Sequence, residues 1–222
     1  DNPASKTYVA NKQASCEAIG MYSALIKLPE DISEKALLEQ IRELNVRADI
    51  HGILVQLPLP KHIDENAVIA TISPEKDVDG FSPISVGKMM LGQETYLPCT
   101  PYGVMKLLEH SGIEVSGKHA VIVGRSHIVG KPMGQLLLQK DATVTYTHSK
   151  TVDLASYTKQ ADILIAAVGR PNFITADYIK EGAVVIDVGI NRDENNKLVG
   201  DVDFASVDGI ASYITPVPGG VG

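Results

Sequence analysis

The segment Gly124-Arg-Ser-His-Ile-Val-Gly-Lys-Pro132 follows the apolar run Ala120-Val-Ile-Val123 and precedes a helix-compatible stretch. Strand, glycine-rich turn and helix, in that order, build an anion site from backbone N–H groups and the positive end of a helix dipole. Against the usual G-x-G-x-x-G fingerprint, Ser126 stands where the second glycine would be, and the third is displaced to Gly130. An ordinary tight turn between strand and helix is the competing reading of these residues. NAD-binding units place an acid about 20 residues beyond the first glycine, where it accepts the ribose hydroxyls. Here the next strand ends Val144-Thr-Tyr-Thr-His-Ser149 and no acid is present; Ser149 and Lys150 occupy that end. A small hydroxyl, with Arg125 in the preceding turn, suits a 2′-phosphate better than a free diol, so NADP is the expected cofactor. From spacing alone Arg125 could equally be a solvated loop arginine.

Four further places carry polar groups in unusual settings. Tyr8-Val-Ala-Asn-Lys12 sets a phenol and an amine at i and i+4, on one helix face. Such pairs are common on amphipathic helices without any function. Short-chain dehydrogenases use a Y-x-x-x-K pair, but after the nucleotide glycines; here it precedes them by more than a hundred residues. Gln56 ends the apolar run Gly52-Ile-Leu-Val and is followed by Leu57-Pro-Leu-Pro60. Strand ends in α/β sheets face the ligand crevice, yet a core amide satisfied by backbone would read the same way. Asp77 and Asp79 lie in Pro74-Glu-Lys-Asp-Val-Asp-Gly80. That turn offers too few oxygen ligands for a calcium loop, so turn capping is the default and no metal site is expected. Thr215-Pro-Val-Pro-Gly-Gly-Val-Gly222 is too glycine-rich for a core strand and suits close approach of backbone to a ligand.

These residues need elements to hold them. Helical spacing of Tyr8, Ile19, Tyr22 and Ile26 predicts a helix over 5–27, ended by Pro29. A second helix covers 33–44, with Ser33 as N-cap and Leu37, Leu38, Ile41 and Leu44 inward. Residues 52–56 are expected to form a short buried strand closed by Pro58 and Pro60, and 64–72 a helix. From Thr100 a helix runs to about His110. Strands at 119–123, 143–147, 163–167 and 183–188 then alternate with helical segments. Apolar runs such as Ile163-Leu-Ile-Ala-Ala-Val168 indicate a parallel sheet covered on both faces.

Composition bounds the rest. With 44% hydrophobic and 21% charged residues over 222 positions, this is an ordinary globular chain of one or two domains. No apolar run reaches the roughly 18 residues of a membrane span. A net charge of −7 argues against non-specific nucleic-acid binding. Cys16 and Cys99, the only cysteines, lack zinc-type spacing and suggest a reducing, cytoplasmic location. The loop-like start and glycine-rich end suggest that both termini are cut, so a removed organelle-targeting segment stays open.

Read in order, Tyr8-x-x-x-Lys12, Gly52-Ile-Leu-Val-Gln-Leu-Pro-Leu-Pro60, Pro74-x-Lys-Asp-Val-Asp-Gly-Phe81 and Pro98-Cys-Thr-Pro101 resemble the bifunctional methylenetetrahydrofolate dehydrogenase/methenyltetrahydrofolate cyclohydrolase family. So do Gly124-Arg-Ser-x-Ile-Val-Gly-x-Pro132, Asp187-Val-Gly-Ile-Asn191, Gly200-Asp-Val-Asp203 and Pro216-Val-Pro-Gly-Gly-Val-Gly222. The resemblance covers essentially the whole chain. It implies an α/β protein of two domains with a cleft between them: a folate-binding catalytic domain at 1–99, N-terminally incomplete, and a Rossmann-like NADP domain at 100–215. Residues 216–222 would form a cleft loop leading to a C-terminal helix that lies outside this sequence. Family members dimerise through the nucleotide domain.

The same resemblance assigns roles. Lys12 would be the catalytic amine, able to exchange protons near neutrality in a partly desolvated cleft. Gln56 would hold Lys12 and help position the attacking water, with Val55 and Leu57 beside it against the folate. Tyr8 would stack on the folate rings, and Asp79 would accept from the pterin N–H groups. Pro218, Gly219, Gly220 and Val221 would line the substrate side. Gly124, Arg125 and Ser126 would cradle phosphate, Ser149 the 2′-phosphate, and Ile190 would meet the nicotinamide. The implied activity is NADP-linked oxidation of 5,10-methylenetetrahydrofolate, then hydrolysis to 10-formyltetrahydrofolate. A dehydrogenase without cyclohydrolase is a second reading, disfavoured by Lys12 and Gln56 occurring together. A nucleotide-binding module without catalysis is a third, and would predict loss of Lys12 or Asp79.

Overall fold

The structure, a computed structural model, describes residues 3–222, with side chains from residue 8 onward. It divides into two compact units, one reaching Val78 and the other starting at Asp79.

In the first unit, α1 spans Pro3–Ala18, shorter than the helix expected over 5–27. Gly20 takes φ +73°, a left-handed conformation natural to glycine. The Met21 N–H then bonds back to the Cys16 carbonyl (2.9 Å) and the Gly20 N–H to that of Glu17 (3.1 Å), the Schellman closure of a helix. Tyr22 and Ile26 therefore lie beyond the helix, and both are exposed. Helix α2 (Glu34–Val46) begins as expected, the Ser33 hydroxyl accepting from the Ala36 N–H. Leu37 and Ile41 of α2 pack with Ile53, Ile63, Ile72 and with Val68 from α3 (Glu65–Thr71). The strand expected over 52–56 is reduced to one parallel bridge between Ile53 and Asp77, closed by the Ile53 N–H to the Lys76 carbonyl (2.7 Å). Among the described residues no longer partner strand lies beside it, and Pro58 has no N–H to extend the ladder.

The second unit opens with α4 (Pro83–Met90). It continues through α5 (Cys99–His110), β1 (His119–Val123), α6 (Gly130–Leu138), β2 (Thr143–Thr147), α7 (Leu154–Thr158) and β3 (Ile163–Ala166). A 3₁₀ turn at Ala176–Tyr178 leads to β4 (Val184–Asp187), the antiparallel pair β5 (Asn191–Arg192) and β6 (Leu198–Val199), α8 (Phe204–Val207) and β7 (Tyr213–Ile214). The sheet order is β2-β1-β3-β4-β7, every pairing parallel. Side chains alternate as a doubly covered sheet requires. Ala120 and Ile122 face the cluster built by Val104 and Leu108 of α5 and Met133 and Leu137 of α6. Val121 and Val123 face Ile174, Ile179 and Val207.

The division at 78/79 precedes the boundary near 99 suggested by the sequence. Helix α4 belongs to the second unit because it packs on α6, where the Gln139 amide donates to the Met89 carbonyl. No pattern in residues 79–98 announces which neighbour they pack on.

Candidate active site

In the first unit the structure brings together two residues 44 positions apart. The Lys12 Nζ donates to Gln56 Oε1 at 3.0 Å. Gln56 Nε2 donates to the Leu57 carbonyl at 2.9 Å, so the amide is held with its oxygen toward the amine. Gln56 and its neighbours Val55 and Leu57 are half-buried, whereas Lys12 is exposed. The hydrogen bond thus orients an amine that itself stays exposed. Tyr8 stands one turn before Lys12 on α1 and is 43% exposed, which leaves its ring face available. Asp79 is half-buried and opens the second unit. Its neighbour Asp77 is buried and is the partner of the Ile53 bridge. Among the described residues no cluster of three or more metal-ligating side chains occurs.

The second unit carries the nucleotide-side residues at the carboxyl ends of its strands. The order β2-β1-β3 puts a topological switch point between β1 and β3, where α/β sheets open a ligand crevice. Gly124 follows β1 with φ +137° and lies directly against the Ala167 carbonyl beyond β3. Ser126, in place of a glycine, turns its hydroxyl inward. Its Oγ accepts from the Val129 N–H (3.1 Å) and the Gly130 N–H (3.2 Å), and its carbonyl accepts from the Lys131 N–H (3.0 Å). The start of α6 is therefore already capped by the turn's own serine. An oxygen accepting two N–H groups keeps its own hydrogen for a ligand, so Ser126 can pass the helix terminus on as an O–H donor. The register pairs Val123 with Thr147, which sets Arg125 and Ser149 at the same edge of adjacent strands; both are exposed. The turn carrying Ser149 is built by His148, whose Nδ1 accepts the Lys150 N–H (3.1 Å). The donor set of Arg125, Ser126, Ser149 and Lys150, with no acid at the end of β2, fits a phosphorylated ribose.

Beyond β4, Ile190 is 51% exposed, an apolar side chain presented past the carboxyl end of that strand. Gly222 lies against it, a Cβ at Gly222 falling 3.1 Å from Ile190 Cδ1. Pro218 and Gly219 are exposed, Gly220 is half-buried, and Val221 packs on the α5–α6 side of the core. The glycine-rich segment is thus seated on the second unit, beside Ile190.

Two features of the second unit leave no mark in the residue pattern. Tyr146 on β2 donates its phenol to the Lys131 carbonyl (2.9 Å) across the space left by Gly134, and burial pushes that phenol up from its usual range. Asp187 and Asp201 are buried carboxylates sharing one hydrogen-bond network. Burial pushes the Asp187 carboxyl up, against the pull of the backbone N–H groups it accepts and with the nearby Asp201 charge adding to the rise.

Residues 1–79 match the model of the tetrahydrofolate dehydrogenase/cyclohydrolase catalytic domain, and residues 98–222 that of the corresponding NAD(P)-binding domain. The chain belongs to this family. The bifunctional protein FolD of Lysinibacillus sphaericus is 82% identical over the whole chain, which covers 78% of that protein. The crystal structure of the bifunctional FolD of Campylobacter jejuni superposes with a TM-score of 0.97 at 54% identity, over 100% of this chain and 79% of that one. The Trypanosoma brucei FolD, solved with NADP and an inhibitor, superposes at 0.93 and 41% identity, over 99% and 77%.

Proposed function

We propose that this chain oxidises 5,10-methylenetetrahydrofolate to 5,10-methenyltetrahydrofolate with NADP, and hydrolyses the product to 10-formyltetrahydrofolate. The observation that carries the assignment of roles is the Lys12–Gln56 hydrogen bond inside the segment matched by the catalytic-domain model. NADP, when bound, accepts the hydride. Arg125, Ser126 and Ser149 would hold its phosphates, and Ile190 would pack on its nicotinamide end.

In the hydrolytic step water adds to the methenyl carbon and gives up a proton. Lys12 takes that proton and returns it to N5 as the carbon–N5 bond breaks, while the hydroxyl proton leaves to solvent and the formyl group remains on N10. Gln56 Oε1 engages one N–H and leaves the lone pair and the other N–H of the amine to face substrate. Tyr8 offers its ring to the folate, flanked by Val55 and Leu57. Asp79 accepts from the pterin N–H groups, and Pro218–Val221 contribute the backbone facing the substrate.

A cytoplasmic homodimer joined through the second unit belongs to the same reading. Neither cysteine is in a disulfide, as a reducing compartment favours. The edge strand β2 leaves Tyr146 43% exposed, and sedimentation velocity would give the stoichiometry.

Lys12→Met tests the catalytic assignment. Cyclohydrolase activity is expected to fall by at least a hundredfold, the scale of lost general acid–base catalysis, with NADP affinity and melting temperature unchanged. A folded variant hydrolysing methenyltetrahydrofolate at the wild-type rate would remove Lys12 from the mechanism.

A further inference from the structure

Asp201 is fully buried, and both of its oxygens are saturated by donors from two separate loops. Oδ2 accepts the Val168 N–H (2.6 Å) and the Gly169 N–H (3.0 Å). Oδ1 accepts the Arg170 N–H (2.9 Å) and the Asn191 side-chain amide (2.8 Å). The first three donors belong to the turn that leaves β3 immediately after Ala167, the residue lying against Gly124. The fourth belongs to the residue following Ile190. One carboxylate therefore ties the β3 side of the switch-point crevice to the segment presenting Ile190.

Asp201 is itself held by Asp187 at the end of β4. Asp187 Oδ1 accepts the Asp201 N–H (2.9 Å) and the Gly189 N–H (2.9 Å), and its Oδ2 accepts the Val202 N–H (2.9 Å). A side chain at Gly200 would collide with the Asp187 carboxylate, so the two acids and the intervening glycine form one rigid piece. Seven N–H groups from three chain segments, 168–170, 189–191 and 201–202, converge on two carboxylates. That is more than a turn needs to close, because only one of them, the Gly189 N–H, lies within two residues of the acid it reaches.

We propose that Asp201, braced by Asp187, is a positioning residue for hydride transfer: it fixes the Val168–Arg170 turn and the Ile190–Asn191 segment in the register that seats the nicotinamide. Asp201 touches neither substrate nor cofactor. Its influence is confined to the nicotinamide side, because Arg125 and Ser149 stand in the turns after β1 and β2 and share no hydrogen bond with it. The inference rests on the placement of the nicotinamide at Ile190 argued above.

Two variants of the full-length protein test it. Asn191→Ala removes a single donor from the edge of the network and is the milder lesion; Asp201→Asn keeps the shape but turns one acceptor into a donor facing N–H groups. Each is assayed for dehydrogenase kcat, for cyclohydrolase rate and for affinity toward adenosine 2′,5′-bisphosphate, a probe of the adenine half alone. The expected result is a fall in dehydrogenase kcat of several-fold for Asn191→Ala and at least tenfold for Asp201→Asn. Cyclohydrolase rate and probe affinity should stay within twofold for Asn191→Ala. Unchanged kcat in Asn191→Ala, or parallel losses in all three measurements, would overturn the positioning role. If the nicotinamide seat were misplaced instead, Ile190→Ala would leave NADP-linked kcat and KM at wild-type values, an outcome separable from the first two.

Discussion

Ser126 and Arg125 show how much a single side chain decides at the nucleotide turn. In the glycine fingerprint the second position is bare so that backbone meets phosphate. Here a serine hydroxyl already satisfies the N–H groups of Val129 and Gly130, so contact with the ligand passes through its O–H and through Arg125. Arg125 is exposed and one residue beyond Gly124, at the edge shared with Ser149. Replacing it by alanine should weaken NADP binding by about 1.5–3 kcal/mol, the range of a charge-assisted hydrogen bond, and leave NAD nearly untouched. Titration of both cofactors against Arg125→Ala checks this, and equal losses would mean that Arg125 does not read the 2′-phosphate. At this scale the sequence was informative wherever a residue type was odd for its place: a serine for a glycine, a missing acid after β2, a glutamine closing an apolar run. Asp187 and Asp201 were not legible, because an aspartate near a glycine reads as turn capping until the donors from distant loops are seen.

The elements show why α6 can begin where it does. A Cβ on Gly130 would lie 2.6 Å from the Gly124 carbonyl oxygen and 2.8 Å from the Arg125 nitrogen, all of it backbone with nowhere to move. Gly130→Ala should therefore push α6 away from the turn, costing about 1–3 kcal/mol of stability as an overpacked contact does. It should also lower NADP affinity by tenfold or more, since Ser126 loses its two N–H partners. A variant of unchanged melting temperature and unchanged NADP affinity would show that the helix start is not pinned there. The strands β1 to β4 and α5 were readable to within a residue or two, since continuous apolar runs of strand length admit few alternatives. Helix α1 was overrun because Tyr22 and Ile26 keep helical spacing past Gly20, and periodicity does not see a left-handed turn. The strand expected at 52–56 failed for the opposite reason: its composition suits a sheet, but a ladder needs a partner that composition does not supply. The two-residue strands β5, β6 and β7 are too short to leave a period at all.

The stability of the whole chain against acid depends on which carboxylates gain or lose partners on folding. Asp187 is pushed up by burial, so its contribution is full below the unfolded carboxylate value near 3.9 and is lost as pH rises through the raised folded value. Asp162 works in the opposite direction. Its Oδ1 takes the Lys180 ammonium at 2.6 Å and its Oδ2 the His119 N–H at 2.9 Å, and the Lys180 hydrogen bond, then that backbone bond, hold its carboxyl below the usual range. Asp162 also accepts through its own carbonyl from the Val184 N–H and donates to the His119 carbonyl, so it ties β1, β3 and β4 together at the amino end of the sheet. Because its folded pKa is depressed, its stabilisation is complete above about 3.9 and is lost as pH falls through the lower folded value. Comparing wild type with Asp162→Asn cancels the Asp187 contribution, which both proteins share. Asp162 and Lys180 are 34% and 45% exposed, and solvent screens such a pair to about 1 kcal/mol or less. That corresponds to about 2–4 °C in melting temperature for a chain of this size. Melts at pH 7 should show wild type higher by up to that amount, with the gap closing as the pH is lowered below 4. A gap that stayed constant down to pH 3 would mean that the asparagine variant loses packing or backbone geometry rather than the charged partner of Lys180.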